Sequence, residues 1–339
     1  MRLALAGVRH FHVHHLLDCV KHSEGVELVG IFDRDEHVRN TFANQYQTLG
    51  YSSLEEMFEV GKPDVIACFD IHSKRAEVST QALARGISVL CDKPPVTSLG
   101  ELEALKNAAL ASQAAKFTVL LSERYNPPVM TLKRIIDQGC IGEIVNFAAF
   151  RPHKLNKPDR EAWFFRRKEH GGILVDLAIH DIDVFQWIAG KKITEVAAQA
   201  GNLSCPEHPE FEDHGQLIFR AEGNVTGLVK VDWLTPAAFP THGDCRYFVT
   251  GTRGTVEVKT EGDIGTLGGT VTVCTDSRPP YTVSLEVPET DLYSDFFATI
   301  AKDLPPPISL ADVFHAAEVV LKARDAADSR RVIALADQN

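Results

Sequence analysis

Residues 3–12 read Leu3-Ala4-Leu5-Ala6-Gly7-Val8-Arg9-His10-Phe11-His12. A short apolar run and a glycine lead into a polar start followed by Leu16, Leu17 and Val20. That order predicts a buried strand, a tight turn and a helix. The rhythm repeats downstream. Glu27–Phe32, Asp64–Phe69, Ile87–Cys91 and Lys116–Leu121 are strand-like runs, with helical patterns at Ala76–Ala84 and around Leu102 and Leu105. Alternation at this spacing implies βαβ units and a parallel sheet.

The pattern changes near Ser122. Asn126-Pro127-Pro128 opens a helix that ends at Gly139, and long strands follow. In one of them Val225, Gly227, Val229, Val231 and Trp233 alternate with Thr226, Lys230 and Asp232. Strands in series with few helices between them predict an antiparallel sheet. Two helices, Ile173–Ile188 and Leu310–Ala327, complete this half. The reading is therefore α/β plus α+β. It has a Rossmann-type, doubly wound parallel sheet over residues 1–122 and an open, mostly antiparallel sheet over residues 123–339. The helix 310–327 is free to pack back on the first domain.

Bulk properties narrow the function. A formal net charge of -11 makes nucleic acid an unfavourable partner. The seven cysteines are scattered without a Cys-x-x-Cys pair, as expected of buried thiols in a reducing compartment. No apolar run approaches membrane-spanning length, and the opening MRLALAGV reads as a strand, not a signal peptide. A soluble cytoplasmic protein is the expectation.

Candidate chemistry clusters in three places. The first is the turn Gly7-Val8-Arg9-His10-Phe11-His12. A dinucleotide fingerprint would place glycines at 7, 9 and 12, and Gly7 alone is present. Backbone N–H groups at the helix start still suit a diphosphate, so Gly7, Arg9, His10 and Phe11 are candidate cofactor contacts. Asp33 closes the second strand, where a carboxylate accepts from an adenosine ribose and repels a 2′-phosphate. That favours NAD. The neighbouring Arg34 would instead grip a 2′-phosphate, which keeps NADP open.

The second place is Cys91-Asp92-Lys93-Pro94-Pro95, at a strand's carboxyl end, where open α/β sheets bind ligands. Pro94 keeps Lys93 out of helical geometry and permits a cis bond. The Lys93 ammonium there can polarise a substrate oxygen or relay a proton. The third place is Gly171-Gly172 followed by a helix carrying Asp176, His180 and Asp183 on one face. An imidazole oriented by a carboxylate suits acid–base work near neutral pH. Nearby, the basic stretch 151–168 contains Arg151, Lys154, Trp163, Arg166 and Arg167. Its cations would pair with a carboxylate or phosphate and Trp163 would stack on a sugar face, or the stretch is a solvated loop or subunit contact.

These motifs, in this order, resemble the Gfo/Idh/MocA family of oxidoreductases. The family's Glu-Lys-Pro is matched by Asp92-Lys93-Pro94, and its Arg-aromatic-x-Pro by Arg124-Tyr125-Asn126-Pro127. Its Gly-x-Ile/Leu-Gly-Glu-Ile is matched by Gly139–Ile144, its Gly-Gly-x-x-x-Asp-x-x-x-His by Gly171–His180, and its Gly-Thr-x-Gly-Thr by Gly251–Thr255. The family's Thr-Pro-Asn-x-x-His loop, which passes close to the cofactor, reads Asp70-Ile71-His72-Ser73-Lys74-Arg75 here.

The resemblance implies a nicotinamide-dependent dehydrogenase or reductase acting on a CH–OH group of a small sugar-like or polyol substrate. Lys93 and His180 form the catalytic pair and Asp176 assists. It implies cofactor contacts from Asp70, His72 and Asp92, and substrate contacts from Arg124, Arg151, Trp163, Asp176 and His180. It also implies a homodimer or homotetramer built through the C-terminal sheet. Two other readings stand beside it. One is a family relative that senses a sugar or cofactor without turnover. The other is a metal-dependent amidohydrolase with His10 and His12 on zinc, although the preferred reading needs no metal.

Overall fold

The computed structural model describes residues 1–112, 114–262, 265 and 267–335. In chain order the first half runs β1 (Arg2–Val8), α1 (His12–His22), β2 (Glu27–Phe32), α2 (Glu36–Gln45), β3 (Gly50–Tyr51), α3 (Leu54–Glu56), β4 (Val65–Phe69), α4 (His72–Ala84), β5 (Ser88–Cys91), α5 (Leu99–Ala111) and β6 (Phe117–Val119). Then come α6 (Pro127–Asp137), β7 (Ile144–Pro152), the single turn α7 (Arg167–His170), α8 (Ile173–Ala189), β8 (Ile193–Gly201), β9 (His214–Ala221) and β10 (Thr226–Asp232). The chain closes with β11 (Arg246–Gly251), β12 (Gly254–Lys259), β13 (Thr270–Thr275), β14 (Arg278–Thr282), α9 (Leu292–Lys302), α10 (Leu310–Ser329) and β15 (Ile333–Ala334). Two compact units result: Met1–Leu120 with Lys168–Gly171 and Thr290–Phe314, and the remainder.

The first unit holds a parallel six-stranded sheet of order β3-β2-β1-β4-β5-β6. The order reverses between β1 and β4, and ligands bind outside the carboxyl ends of the strands at such a switch point. The sequence dictates the burial. Every residue of β4 and β5 is buried, as continuous apolar runs covered on both faces require. Asp35 and Ser98 cap α2 and α5 by accepting from first-turn N–H groups. Gly7 lies near the end of β1 at φ +72°, and a Cβ there would fall 2.3 Å from the Asp70 Cα, so no side chain fits.

The sequence reading missed α2 and β3. Only Ala43 of α2 is buried, so its apolar period is weak, and β3 has two residues. The segment Thr290–Phe314, expected in the second domain, belongs to the first unit. There α9 packs on α1, with Cys19 Sγ 3.5 Å from Ser294 Oγ.

The second unit holds a nine-stranded sheet of order β14-β13-β12-β11-β7-β10-β9-β8-β15. Strands β7 and β10 are parallel, and the other pairings among the described residues are antiparallel. One face is covered by α6 and α8, where Phe147, Phe185, Phe219 and Tyr247 interlock. Helix α8 is buried from Ile173 to Gln186. A helix buried all round is a core element, so its Asp176, His180, Asp181 and Asp183 must find partners inside the protein.

Gly7→Ala is expected to lower unfolding free energy by roughly 2–4 kcal/mol, from the left-handed backbone and the collision with Asp70. Chemical denaturation followed by circular dichroism checks this. A loss below about 0.5 kcal/mol would show that the turn can relax.

Candidate active site

The dinucleotide-type loop is organised by acids beneath it. Asp33, just after β2, is buried; it accepts from Val8 N–H at 3.1 Å and Asp35 N–H at 2.9 Å. Arg9, in place of the second fingerprint glycine, lies over Asp33 with Nη1 3.3 Å from Oδ1 and 3.7 Å from Asp35. Arg34 pairs with Glu77 at 2.9 Å and with Asp70 at 3.5 Å. Asp70 sits under Gly7, and burial pushes its carboxyl up to about 6. The first turn of α1 carries no acid, its N-cap Phe11 provides no side-chain cap, and Lys21 and His22 stand in its last turn. The N–H groups of His12, Val13 and His14 are met by His10 Nδ1, the His10 carbonyl and the Phe11 carbonyl, so it is the helix dipole that favours an anion there. Phe11 is half exposed.

His72 is fully buried, and its Nδ1 lies 2.7 Å from the His170 carbonyl oxygen. A carbonyl only accepts, so Nδ1 carries the proton. The residue expected to touch the cofactor thus ties the segment 168–171 to α4.

Asp92 is the hub of the loop. It is fully buried, and Oδ1 accepts from Lys93 N–H at 2.9 Å and lies 2.8 Å from His12 Nδ1. Oδ2 lies 3.0 Å from His10 Nδ1 and accepts from Arg75 Nη2 at 2.9 Å. Burial alone would push this carboxyl up, but Arg75, then His10 and His12, hold it well below the usual range. Burial lowers His10 to about 3, so it stays neutral. Arg75, itself fully buried, also donates to the carbonyls of Asp70, Lys93 and Pro94. The peptide units around Lys93 are thus gripped at the N–H by a carboxylate and at the C=O by a guanidinium, next to the cis Lys93–Pro94 bond. Arg75 was not singled out as a site residue from the sequence, and His12 was named there only as a zinc ligand. An arginine among Ala76, Val78 and Ala82 on an apolar helix face was the available signal.

The histidine pair bears on the zinc reading. His10, His12 and Asp92 offer atoms within 4.8 Å of one another. Both oxygens of Asp92 are already engaged, and a permanent cation, Arg75, shares the carboxylate. The six-stranded open sheet is also not the barrel that an amidohydrolase requires. The cluster is a hydrogen-bond hub, and the amidohydrolase reading is withdrawn.

In the second unit, Asp176 stands in the first turn of α8, His180 one turn on, and both are buried. Arg160, from the 3₁₀ turn before it, interacts electrostatically with Asp176. Arg124 and Arg151, expected as substrate ligands, are engaged by acids of this chain. Arg124 clasps Asp183 through Nε at 2.9 Å and Nη2 at 2.6 Å. Arg151 clasps Asp181 at 3.0 and 2.8 Å, and donates to Glu123 and the Tyr247 hydroxyl. Burial would lower Arg151, but Asp181 holds it charged. Both cations are consumed inside the fold, by the two acids that follow His180 in the helix. Lys154 donates to the Phe239 carbonyl, and Arg167 pairs with Glu212 and Asp328. Trp163 is buried edge-on to Phe164.

A doubly wound sheet with a phosphate-suited turn, an acid at the end of β2 and a clamped lysine after β5 defines a dinucleotide-dependent class of protein. Residues 1–120 match the model "Oxidoreductase family, NAD-binding Rossmann fold", and residues 129–257 match "GFO/IDH/MocA C-terminal domain". The chain belongs to the Gfo/Idh/MocA family of oxidoreductases. It is 26% identical over 188 residues to the myo-inositol dehydrogenase Hyg17 of Streptomyces leeuwenhoekii, covering 55% of this chain and 54% of that protein. It is 26% identical over 270 residues to the scyllo-inositol 2-dehydrogenase (NAD(+)) of Bacillus subtilis, covering 77% and 74%. The matched stretch thus spans about half of the first of these relatives. An oxidoreductase from Thermotoga maritima superposes with a TM-score of 0.88 at 26% identity, covering 99% of this chain and all of that one.

The NAD-binding fold and the residues of the loop agree. The imidazoles at 10 and 12 are drawn inward onto Asp92, Gly7 brings no side chain to the turn, and the start of α1, with its dipole, follows that turn.

Asp70 allows a pH test. Its folded value of about 6 lies above the roughly 3.9 of an unfolded aspartate, so the folded state binds the extra proton between those values. Stability from this group is therefore lost as pH rises through that window. Asp70→Asn should match the parent below about pH 4 and gain on it by roughly 1–3 kcal/mol above about pH 6. Denaturation of both proteins on either side of this window measures the difference, and a flat difference would show an ordinary carboxylate.

Proposed function

We propose that the protein is an NAD-dependent dehydrogenase or reductase that interconverts a carbinol and a carbonyl carbon of a neutral polyol or sugar. The observation that carries the reading is the grip on Lys93: a buried carboxylate and a buried guanidinium fix its backbone at the carboxyl end of β5. When bound, NAD supplies the hydride acceptor. In oxidation His180 takes the hydroxyl proton, Lys93 hydrogen-bonds the same oxygen and stabilises its growing negative charge, and Asp176 orients the imidazole or holds an adjacent hydroxyl. In reduction the proton runs the other way.

A neutral substrate follows from the arginines. Arg124, Arg151 and Arg167 are all spent on acids of this chain. To pair with any of these three, a carboxylate or phosphate on the substrate would have to take the cation from a carboxylate. The three inositol dehydrogenases among the relatives point the same way. Asp33 and the engagement of Arg34 by Glu77 and Asp70 support NAD over NADP.

Titration of nucleotide fluorescence should show NADH binding at least about tenfold tighter than NADPH. With NAD and a panel of inositols, sugars and uronates, a neutral polyol should be turned over. Lys93→Ala should lower kcat by about 10²–10⁴-fold while leaving NADH affinity within about threefold. A uronate preferred by more than about tenfold, or a Lys93→Ala enzyme at parental rate, would refute the assignment.

The exposed face of the nine-stranded sheet supports self-association. Phe248, Ala148, Leu228, Ile218 and Ala197 are register partners across five strands, and Phe248 and Ile218 are exposed. Apolar rows of this kind mark interfaces, and we assign a second copy of the chain to it. Light scattering should give at least twice the chain mass. Phe248→Glu should shift the protein toward monomer, whereas a monomeric parent would end this proposal.

A further inference from the structure

Three departures from the family's motifs meet in space. Histidine replaces the fingerprint glycine at position 12, aspartate replaces glutamate at 92, and arginine replaces histidine at 75. Their side chains meet in one buried cluster of the first unit. His12 Nδ1 is 2.8 Å from Asp92 Oδ1, and Arg75 Nη2 is 2.9 Å from Asp92 Oδ2.

The geometry gives a reason for the three to occur together in this chain. In the fingerprint, the third glycine lets the first helix pack closely on the sheet. Aspartate is a methylene shorter than glutamate, so its carboxylate stays near the end of β5 and leaves space toward α1. An imidazole on the first residue of α1 spans that space. Glycine at 12 would take from Asp92 Oδ1 its side-chain partner, while glutamate at 92 would drive its carboxylate into the ring. Oδ1 is also the acceptor for Lys93 N–H. One oxygen atom therefore joins the start of α1 to the backbone of the lysine.

We propose that His12, Asp92 and Arg75 form one brace replacing the missing glycine, and that Asp92 is the positioning residue through which the dinucleotide loop and Lys93 are set together. The proposal rests on the cofactor reading above. It makes the brace a unit of exchange: residues 12 and 92 tolerate the family's Gly/Glu pair or the His/Asp pair, but not the mixtures.

The test is a double-mutant cycle of His12→Gly and Asp92→Glu, read in two ways. Without ligand, each single variant should lower the unfolding midpoint, and the double variant should recover most of the loss. With NADH, each single should raise Kd about tenfold and the double should return to within about threefold of the parent. Two milder variants guard against misfolding. His12→Asn keeps a donor near the place of Nδ1 and should bind NADH within about threefold of the parent. Asp92→Asn keeps the volume, loses the charge, and should shift the pH profile of kcat, which a role confined to folding would leave in place. Additive losses in both readouts, or His12→Gly binding NADH as tightly as the parent, would overturn the brace. If the parent binds neither NADH nor NADPH, the cofactor reading fails, and the ligand-free coupling between 12 and 92 still decides whether the brace exists.

Discussion

A carboxylate with no access to water sits under the start of the first helix, and the first unit is arranged around keeping it charged. Burying Asp92 costs several kcal/mol unless its charge and lone pairs are met. Arg75 supplies the charge, and His10, His12 and the Lys93 N–H complete the set. The donors come from separate parts of the chain, so satisfying one anion fixes the turn after β1, the start of α4 and the turn after β5 relative to one another. Removing a partner from such a pair is far more damaging than its net worth suggests, because the other charge is left buried.

The second unit solves a related problem on α8. A helix so apolar would be ordinary core packing were it not for Asp176, His180, Asp181 and Asp183. Two of these acids take an arginine each, one from β7 and one from the turn after β6. They follow His180 along the helix, and multiply bonded guanidinium pairs restrict rotation as well as translation. The arginines expected as substrate ligands hold the helix that carries the imidazole.

Much of this was legible from the residues. The strand rhythm pointed to the parallel sheet, because fully buried strands read as unbroken apolar runs. Gly7, Asp33 and Lys93-Pro94 were recognisable because each answers a local constraint: a left-handed turn, a strand end, a proline-restricted backbone. The bounds of α8 followed from its Gly-Gly start and apolar length. What was not legible depends on partners remote in sequence. Arg124 lies 59 positions from Asp183 and Arg151 30 from Asp181, and nothing local distinguishes a paired arginine from a free one. The acids did carry a signal. Two aspartates in a wholly buried helix require buried cations, and that requirement alone could have reassigned the arginines. The attachment of α9 to the first unit had no such marker.

The fate of the three fingerprint positions shows which of glycine's properties the turn cannot do without. At position 7 the backbone is left-handed and a Cβ would collide with the main chain of Asp70, so no side chain substitutes. At 9 and 12 glycine's contribution is vacant space, and space can be managed. Arg9 is held over Asp33 and Asp35, and His12 is drawn inward by Asp92. The polar groups that anchor these side chains themselves stand just past the ends of strands β2 and β5. A motif can therefore lose two of its three glycines and keep the turn, provided that each new side chain has an anchor at the carboxyl edge of the sheet. Steric exclusion by backbone fixes one residue, whereas close approach fixes only a volume, which a tethered side chain can leave empty.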